Sequence, residues 1–185
     1  MTTRAAEPLI FLLRAVNVGG RNRLPMADLR ALACELGLER PRTLLQSGNL
    51  VGEASAAAAP EFAARLSEML ADRLGVRSKV VWRGASTLFA AIDANPFGDA
   101  ARDDPARLHL VFLDAPGDTA GAAALAAAGA AGERVALTGA DLYVHFAGGA
   151  GNSRLTSSLI DRRMKATGTA RNWNTVLALA ALARG

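Results

Sequence analysis

The chain has a single cysteine, Cys34, among its 185 residues, so it cannot form an internal disulfide. A scarcity of cysteine fits a reducing, cytoplasmic compartment. The sequence also lacks a run of about 18 uncharged apolar residues, which a membrane-spanning helix would need. The apolar residues 9–13 are too few for a signal peptide and lead directly into Arg14. We therefore expect a cytoplasmic protein without a membrane partner.

Sequence motifs of common catalytic chemistry are also missing. The P-loop, the dinucleotide-binding fingerprint and the nucleophile elbow have no match. His109 and His145 stand 36 residues apart and the one cysteine is distant from both, which is not the spacing of a metal site. We therefore name no catalytic residue, no metal ligand and no cofactor.

Lysine is scarce, because 19 of the 21 basic residues are arginine. This bias is typical of genomic composition, so an excess of basic residues is weak evidence for a nucleic-acid partner. The distribution of charge says more: residues 1–50 carry +3, residues 51–150 carry −4 and residues 151–185 carry +5, for a net charge of +4. Basic ends around an acidic middle are compatible with one positive patch built from both ends.

Hydrophobic periodicity divides the chain into two halves in which short strands and helices alternate. In the first half, strand patterns cover residues 9–16, 43–51 and 76–82, and helical patterns cover residues 26–36, 60–74 and 86–94. In the second half, strand patterns cover residues 108–113, 134–137 and 142–146, and helical patterns cover residues 119–128, 154–165 and 174–183. This order predicts an α+β fold of two small subdomains, with mainly antiparallel sheets and helices packed on one face. We place the first subdomain at residues 1–97, a linker at 98–106, and the second subdomain with its C-terminal helices at 107–185.

The segment with the clearest chemical character is residues 12–25, Leu-Leu-Arg-Ala-Val-Asn-Val-Gly-Gly-Arg-Asn-Arg-Leu-Pro. A hydrophobic strand enters a turn with two adjacent glycines, Gly19 and Gly20, and a helical pattern follows. The free N–H groups of a helix start, together with the charges of Arg21 and Arg23, outline an anion site. The alternative is that the segment is only a helix start.

Two later turns repeat this design in the second half of the chain. A glycine-rich turn with Arg154 precedes the penultimate helical pattern. A polar turn with Arg171, Asn172 and Asn174 precedes the last helical pattern, and either asparagine could cap that helix. Trp173, in the same turn, is either a packing residue or a base-stacking platform. The three turns would form one site if they converge in space.

A polar interruption, Gln46-Ser47-Gly48-Asn49, divides an apolar strand pattern. One interpretation is a β-bulge whose side chains satisfy nearby backbone groups. The other is that these polar side chains face a ligand.

The third strand pattern of the first half carries alternating basic residues. Arg77 and Lys79 share one face of it, which is either a solvated sheet face or part of a phosphate-binding surface.

Five blocks of the sequence resemble, in this order, the signature blocks of the bacterial domain-of-unknown-function 1697 family: residues 12–20, 25–30, 46–49, 95–97 and 170–175. The resemblance implies two α+β subdomains of ferredoxin-like character and a family without an established activity. It names no catalytic residue. Members often carry Arg-Gly-Ile-Asn where residues 14–17 here are Arg-Ala-Val-Asn, and Ser-Lys-Leu-Thr where residues 153–156 are Ser-Arg-Leu-Thr.

Three functions stay open from the sequence. The first is a binding module for an anionic, phosphate-bearing ligand, a nucleotide or a nucleic acid, the latter bound weakly and without sequence preference. The second is an enzyme acting on a small phosphorylated substrate, for which a general base is lacking. The third is a structural protein whose motifs only lock the two subdomains together. Neither the sequence patterns nor the resemblance sets the oligomeric state.

The candidate ligand-binding residues are polar groups and glycines within the motif blocks: Arg14, Asn17, Gly19, Gly20, Arg21, Gln46, Ser47, Asn49, Arg154, Arg171, Asn172 and Asn174. Four of them interrupt or adjoin apolar runs, where unpaired burial would cost about 1–3 kcal/mol each. We therefore expect Arg14, Gln46, Asn49 and Arg171 to lie close together.

Overall fold

The computed structural model of the chain describes residues 7–20, 22–129 and 132–185. The chain forms two compact units. Unit 1 comprises Met1–Phe89 and Ala178–Gly185, and unit 2 comprises Ala90–Leu177. Within the described residues, no helix combines the length and the apolar character needed to cross a membrane.

Unit 1 contains one antiparallel sheet of four strands with the order β2-β3-β1-β4. Its elements are β1 (Glu7–Leu13), α1 (Met26–Glu35), β2 (Glu39–Leu44), β3 (Asn49–Ala54), α2 (Ala59–Leu74) and β4 (Val80–Gly84). Two further helices, α3 (Ala85–Asp93) and α7 (Trp173–Arg184), each contribute part of their length to unit 1.

The core of unit 1 lies between one face of this sheet and the helices α1 and α2. Successive side chains of a strand point to opposite faces, so Leu9, Phe11 and Leu13 share the helix-facing side. The Phe11 ring lies 4.5 Å from that of Phe62 on α2. Burying each such side chain contributes about 1.5–3 kcal/mol, and the sheet and helices are held together by this term.

Unit 2 contains a second antiparallel sheet of four strands, with the order β6-β7-β5-β8. Its elements are α4 (Gly98–Asp103), β5 (Leu108–Leu113), α5 (Thr119–Ala128), β6 (Arg134–Thr138), β7 (Asp141–His145), α6 (Ser157–Met164) and β8 (Gly168–Asn172). Its core again lies on one sheet face, where Val111 and Val144 pack with Leu125 of α5 and Ile160 of α6.

The two units repeat one topology. Each runs strand, helix, strand, strand, helix, strand, and in each the first strand of the unit lies between the third and the fourth. The prediction of two α+β subdomains with antiparallel sheets and helices on one face is confirmed.

Several predicted elements need correction. The strand predicted over residues 43–51 is wrong, because β2 ends at Leu44, a turn follows, and β3 begins at Asn49. The strand predicted from residue 76 begins at Val80. The helix predicted from residue 154 begins at Ser157, because the side chain of Thr156 caps it. Strand β8 was not predicted at all.

The segment predicted as a linker, residues 98–106, contains helix α4. The compact units divide the chain before Ala90 and after Leu177. The placement of the subdomain boundaries at 1–97, 98–106 and 107–185 stays a prediction.

Candidate functional site

The connection from β1 to α1, residues 14–25, is called the glycine loop. Its residue Arg21 lies outside the described residues. Five of the described residues of this loop have the positive φ that favours glycine, namely Ala15 (54°), Asn17 (54°), Gly19 (59°), Gly20 (75°) and Asn22 (49°). A side chain added at Gly19 or Gly20 would meet nothing within 4 Å. Glycine is therefore favoured at these two positions by the positive φ of the backbone, and not by a lack of room for a side chain.

The side chain of Asn17 holds the glycine loop closed. Its Nδ2 donates to the carbonyl oxygens of Leu24 (2.9 Å) and Gln46 (2.6 Å), and its Oδ1 accepts from the N–H of Leu24 (2.9 Å). Both amide hydrogens are thus used, one inside the loop and one on a neighbouring loop. Asn17 therefore organises the site, and its contribution to a ligand would be indirect.

The neighbouring loop, residues 45–48, joins β2 to β3 and is called the hairpin loop. The side chain of Asn49 is fully buried, and its Nδ2 donates to the carbonyl oxygen of Leu44 (2.8 Å) and to Oγ of Ser47 (2.9 Å). The segment is a tight four-residue turn and not the β-bulge that was predicted, but its polar side chains do satisfy a nearby backbone group, as that interpretation expected. The side chain of Gln46 is exposed at its tip.

A third segment, residues 77–79, lies against the glycine loop. The N–H of Arg14 donates to the carbonyl oxygen of Lys79 (3.0 Å), and Oγ of Ser78 donates to that of Arg14 (2.7 Å). Asn22 Nδ2 donates to the carbonyl oxygen of Arg77 at 3.2 Å. Sequence reasoning named neither Asn22 nor Ser78. The signal in Asn22 is its residue type, since asparagine tolerates a positive φ.

These three segments together are called the loop end of unit 1. They carry Arg14, Arg23, Arg77 and Lys79 among the described residues and not one acidic residue. The side chains of Arg23, Arg77 and Lys79 are exposed, and that of Arg14 is half-buried. The acidic residue closest along the chain is Asp28, in the first turn of α1. The loop end is therefore a cationic surface.

The glycine-rich turn of unit 2 is organised by Ser153. Its Oγ donates to Oε1 of Glu133 (2.6 Å) and accepts from the N–H of Leu155 (3.0 Å). Arg154 lies beside it with an exposed side chain. The turn thus presents one cation to solvent.

Arg171, on β8, is buried, with 8% of its surface exposed. Its Nη1 donates to Oγ1 of Thr169 and to the carbonyl oxygen of Ala170, both at 2.9 Å. Burial lowers the pKa of the Arg171 guanidinium to about 10, because a low-dielectric surrounding disfavours the charged form. The two hydrogen bonds partly offset the cost of burying the guanidinium.

The start of α7 follows directly. Asn172 Oδ1 accepts from the N–H (3.0 Å) and from Oγ1 (2.8 Å) of Thr175, so of the two asparagines that the sequence offered as caps, Asn172 makes the capping contact. Trp173 is buried, with 3% exposed, which agrees with its interpretation as a packing residue. Asn174 is exposed.

The structure gathers part of the predicted site at the loop end of unit 1, which contains Arg14, Asn17, Gly19, Gly20, Gln46 and Ser47; Asn49, the first residue of β3, adjoins it. The remaining described members, Arg154, Arg171, Asn172 and Asn174, belong to unit 2. Arg21 lies outside the described residues. The proximity of Arg171 to Arg14, Gln46 and Asn49 stays a prediction.

The two histidines of unit 2 are engaged in local contacts. Nε2 of His145 lies 3.3 Å from Oδ2 of Asp104, and its Nδ1 lies 3.4 Å from Nη2 of Arg134. Since arginine can only donate, this contact favours the tautomer in which Nδ1 accepts and Nε2 faces the Asp104 carboxylate. His109 packs edge-on against Phe146, and burial lowers its pKa. No group of three or more potential metal ligands occurs in the described part of the chain.

Residues 7–143 match a family described as a protein of unknown function, DUF1697, and the chain belongs to this family. The predicted family resemblance is thereby confirmed. A solved structure of a conserved bacterial protein from Streptococcus pneumoniae is similar over 97% of this chain and 99% of that chain, with a TM-score of 0.73 and 21% sequence identity. At this identity the likeness shows the fold. No curated protein matches the chain.

Proposed function

We propose that the loop end of unit 1 binds the phosphate groups of an anionic ligand, such as a nucleotide or a nucleic acid. One observation carries this proposal. Hydrogen bonds hold residues 77–79 against the glycine loop, so that cations from two distant parts of the chain share one surface without an acidic residue among them.

The charges give the physical reason. Neighbouring like charges repel, and neither Arg23 nor Arg77 forms an ion pair with another of the described residues. A bound phosphate group would relieve this repulsion and would accept paired hydrogen bonds from a guanidinium.

The remaining groups at the loop end complement the cations. The exposed amide of Gln46 can donate and accept hydrogen bonds toward a polar ligand edge. Gly19 and Gly20 leave their backbone open to close approach, because no side chain shields it. The strand order supports an interpretation of both units as ferredoxin-like, which is an analogy of fold and names no ligand.

The alternative that the motifs are structural also has support. The side-chain amides of Asn17 and Asn49 donate their hydrogen bonds to backbone and side-chain groups within unit 1. Their role in holding the loops is compatible with a binding surface formed by the arginines. Whether motif residues also lock the two units to each other stays a prediction.

The test is a thermal melt of the full chain with inorganic phosphate, a nucleoside triphosphate or an oligonucleotide. A ligand that binds only the folded state at 100 times its Kd stabilises by about 2.7 kcal/mol. We expect this gain to fall strongly in the double variant Arg23→Ala/Arg77→Ala, and to weaken with added salt.

Arg65 offers a matched control in the same unit. It is exposed on α2 and lines a cavity with Glu39 and Glu53, which stand at the end of the β2–β3 hairpin opposite to the hairpin loop. Arg65→Ala removes one arginine charge, as does each single variant Arg23→Ala or Arg77→Ala, and it should leave the ligand-induced stabilisation unchanged. If no anion stabilises the wild type, or if Arg65→Ala weakens binding as much as the double variant, the proposal is wrong.

A further inference from the structure

Two exposed aliphatic side chains stand on the loops that form the loop end of unit 1. Val18, in the glycine loop, is 64% exposed, and Leu45, in the hairpin loop, is 60% exposed. The hydrogen bond from Asn17 Nδ2 to the carbonyl oxygen of Gln46 joins the residues next to them in sequence. Of the four large hydrophobic residues exposed in the described part of the chain, two therefore lie on these adjoining loops.

Leu45 has an unfavourable backbone conformation, and its side chain is not buried, so burial does not offset that cost. Its φ is +56°, in the left-handed region that bulky L residues rarely adopt and that asparagine or glycine would occupy at lower cost. In a packed core, such strain could be offset by burial. Here the side chain faces solvent, and the hydrogen bonds of Asn49 hold the turn instead; local strain of this kind is found preferentially at functional sites.

Cationic side chains lie on the segments next to Val18 and Leu45. Arg23, Arg77 and Lys79 are exposed on the segments that adjoin it, and residues 14–25, 45–48 and 77–79 contain no aromatic residue. Surfaces that bind single-stranded nucleic acid combine cations with aromatic rings on which bases stack. Aliphatic side chains on loop tips, flanked by cations, instead match a surface with anionic phosphates above a hydrocarbon layer.

We propose that the phosphate-bearing partner of the loop end is the surface of an anionic phospholipid membrane. Val18 and Leu45 enter the headgroup layer, and Arg23, Arg77 and Lys79 contact the lipid phosphates. This inference rests on the proposed function, because it uses the same cations. This proposal departs from the expectation of no membrane partner, which came from the lack of a long apolar run. Binding to the surface of a membrane needs no spanning helix.

The experiment is cosedimentation of the full chain with vesicles of phosphatidylcholine alone or with about one-third phosphatidylglycerol. We expect binding to the anionic vesicles only, because each basic residue near an anionic surface adds to the attraction. Leu45→Asn should weaken vesicle binding at least about tenfold, since one buried leucine side chain accounts for that much or more.

Stability separates this loss from misfolding. Asparagine tolerates a positive φ, so Leu45→Asn should melt at the wild-type temperature or above it. The matched control is Leu177→Asn, which removes an exposed leucine of unit 2 (44% exposed) and should leave vesicle binding unchanged. A variant that melts higher and binds vesicles less would support the inference directly.

Other outcomes would overturn it. If phosphate, nucleotide or oligonucleotide stabilises the chain but anionic vesicles do not bind, the membrane inference fails and the proposed function stands. If neither vesicles nor any soluble anion binds, both fail. The inference would be contradicted by equal binding to phosphatidylcholine vesicles or by wild-type vesicle binding of the Leu45→Asn variant. It would also be contradicted if the chain does not bind vesicles but self-associates, and Leu45→Asn abolishes that self-association.

Discussion

The two units share one topology and differ in the loop that follows their first strand. In unit 1 this connection is residues 14–25 and contains Arg14, Arg21 and Arg23 without an acid; in unit 2 it is residues 114–118 and contains two acids, Asp114 and Asp118, without a base. The positive charge at the loop end of unit 1 therefore does not come from the fold. The same fold carries basic loops in unit 1 and an acidic loop in unit 2, as expected where function depends on the loops.

The starts of the following helices differ in the same way. Asp118 caps α5, since its Oδ1 accepts from the N–H of Gly121 at 2.7 Å, and its other oxygen pairs with Lys165. In unit 1, α1 follows Pro25 without a side-chain cap. The acid in unit 2 caps its helix start directly, whereas the acid in the first turn of α1, Asp28, lies inside the helix and the cap position is Pro25.

The hairpins extend the comparison. The hairpin loop of unit 1 has four residues, 45–48, with an exposed leucine, whereas β6 and β7 of unit 2 are joined by Gly139 and Ala140 alone. The first and second strands of each unit run parallel to each other, since both are antiparallel to the third. The longer connection and the longer hairpin loop of unit 1 therefore lie at the same end of its sheet.

The largest effect is expected from Gly121→Ala, at the helix contact of unit 2. An added Cβ would lie 1.9 Å from the carbonyl oxygen of Arg163, so α5 and α6 would have to separate. We expect a loss of about 3 kcal/mol or more in the free energy of unfolding, measured by denaturant titration. The control is Gly98→Ala in α4, where the added carbon meets nothing within 4 Å. Equal stability of the two variants would refute the close helix contact.

The next effect compares the two hairpins through Gly48→Ala and Gly139→Ala. Both glycines have positive φ, but a Cβ at Gly48 would lie 2.5 Å from Val16 Cγ2, whereas one at Gly139 meets nothing within 4 Å. We expect losses of about 2–3 kcal/mol for Gly48→Ala and about 1 kcal/mol for Gly139→Ala. Thermal melts check this, and similar losses would mean that the hairpin loop does not pack on the glycine loop.

Asp118→Ala tests the acidic helix start of unit 2, with a smaller expected loss. The ion pair with Lys165, followed by the N–H of Gly121, holds the pKa of Asp118 below its usual 3.8. A lowered folded-state pKa means that this stabilisation is present above about pH 4 and is lost as pH falls through the lowered value. The variant should therefore melt below the wild type at pH 7 and close to it in strong acid. A difference that persists in strong acid would exclude this ionic origin.

Tyr143 gives a spectroscopic test of unit 2, because it is the only tyrosine in the chain. Burial, followed by the nearby charge of Asp141, raises its pKa from 10.0 to about 12. The neutral form is favoured in the folded state, so stability is intact below pH 10 and falls as pH rises toward 12. Absorbance of tyrosinate should appear only near pH 12 or on unfolding. Ionisation near pH 10 in the folded protein would show that Tyr143 is accessible to solvent.

Removal of the hydroxyl complements that titration. Tyr143→Phe deletes the hydrogen bond from Oη to the carbonyl oxygen of Ala91 (2.6 Å), at a cost of about 1 kcal/mol, measured at neutral pH. The variant should lose less stability than the wild type between pH 10 and pH 12. An equally steep decline would assign the alkaline sensitivity to other groups.

The smallest effect expected here is a slight gain in stability from Ala15→Gly in the glycine loop. Ala15 has φ +54°, where a residue with a side chain is strained by about 1 kcal/mol. Glycine relieves the strain but gives the unfolded chain more freedom, so the net gain should stay below about 1 kcal/mol. A small rise in Tm with unchanged anion binding is expected. A fall in Tm would contradict the left-handed conformation.

Periodicity predicted the helices better than the strands. The helix predicted at residues 119–128 has those bounds in the structure, and that predicted at 26–36 spans Met26–Glu35. The strand predicted at 43–51 failed because apolar residues lie on both sides of the turn and Leu45 itself occupies it. Strand β8 was missed because its polar residues, such as Arg171 and Asn172, are typical of a turn. Its partner strand β5 is also far away in sequence, so no local pattern indicates the pairing.

The sequence by itself determined the family, the two α+β halves and the cations of each segment, because these depend on residue type and local periodicity. Tertiary structure alone decided that residues 77–79 meet the glycine loop. That contact is made by backbone carbonyls with Asn22 and Ser78, over separations of 55 and 64 residues. Every residue carries a backbone carbonyl group, so hydrogen bonds to carbonyls cannot be predicted from a pattern of residue types in the sequence. Which cations share a surface is therefore known only from the folded chain.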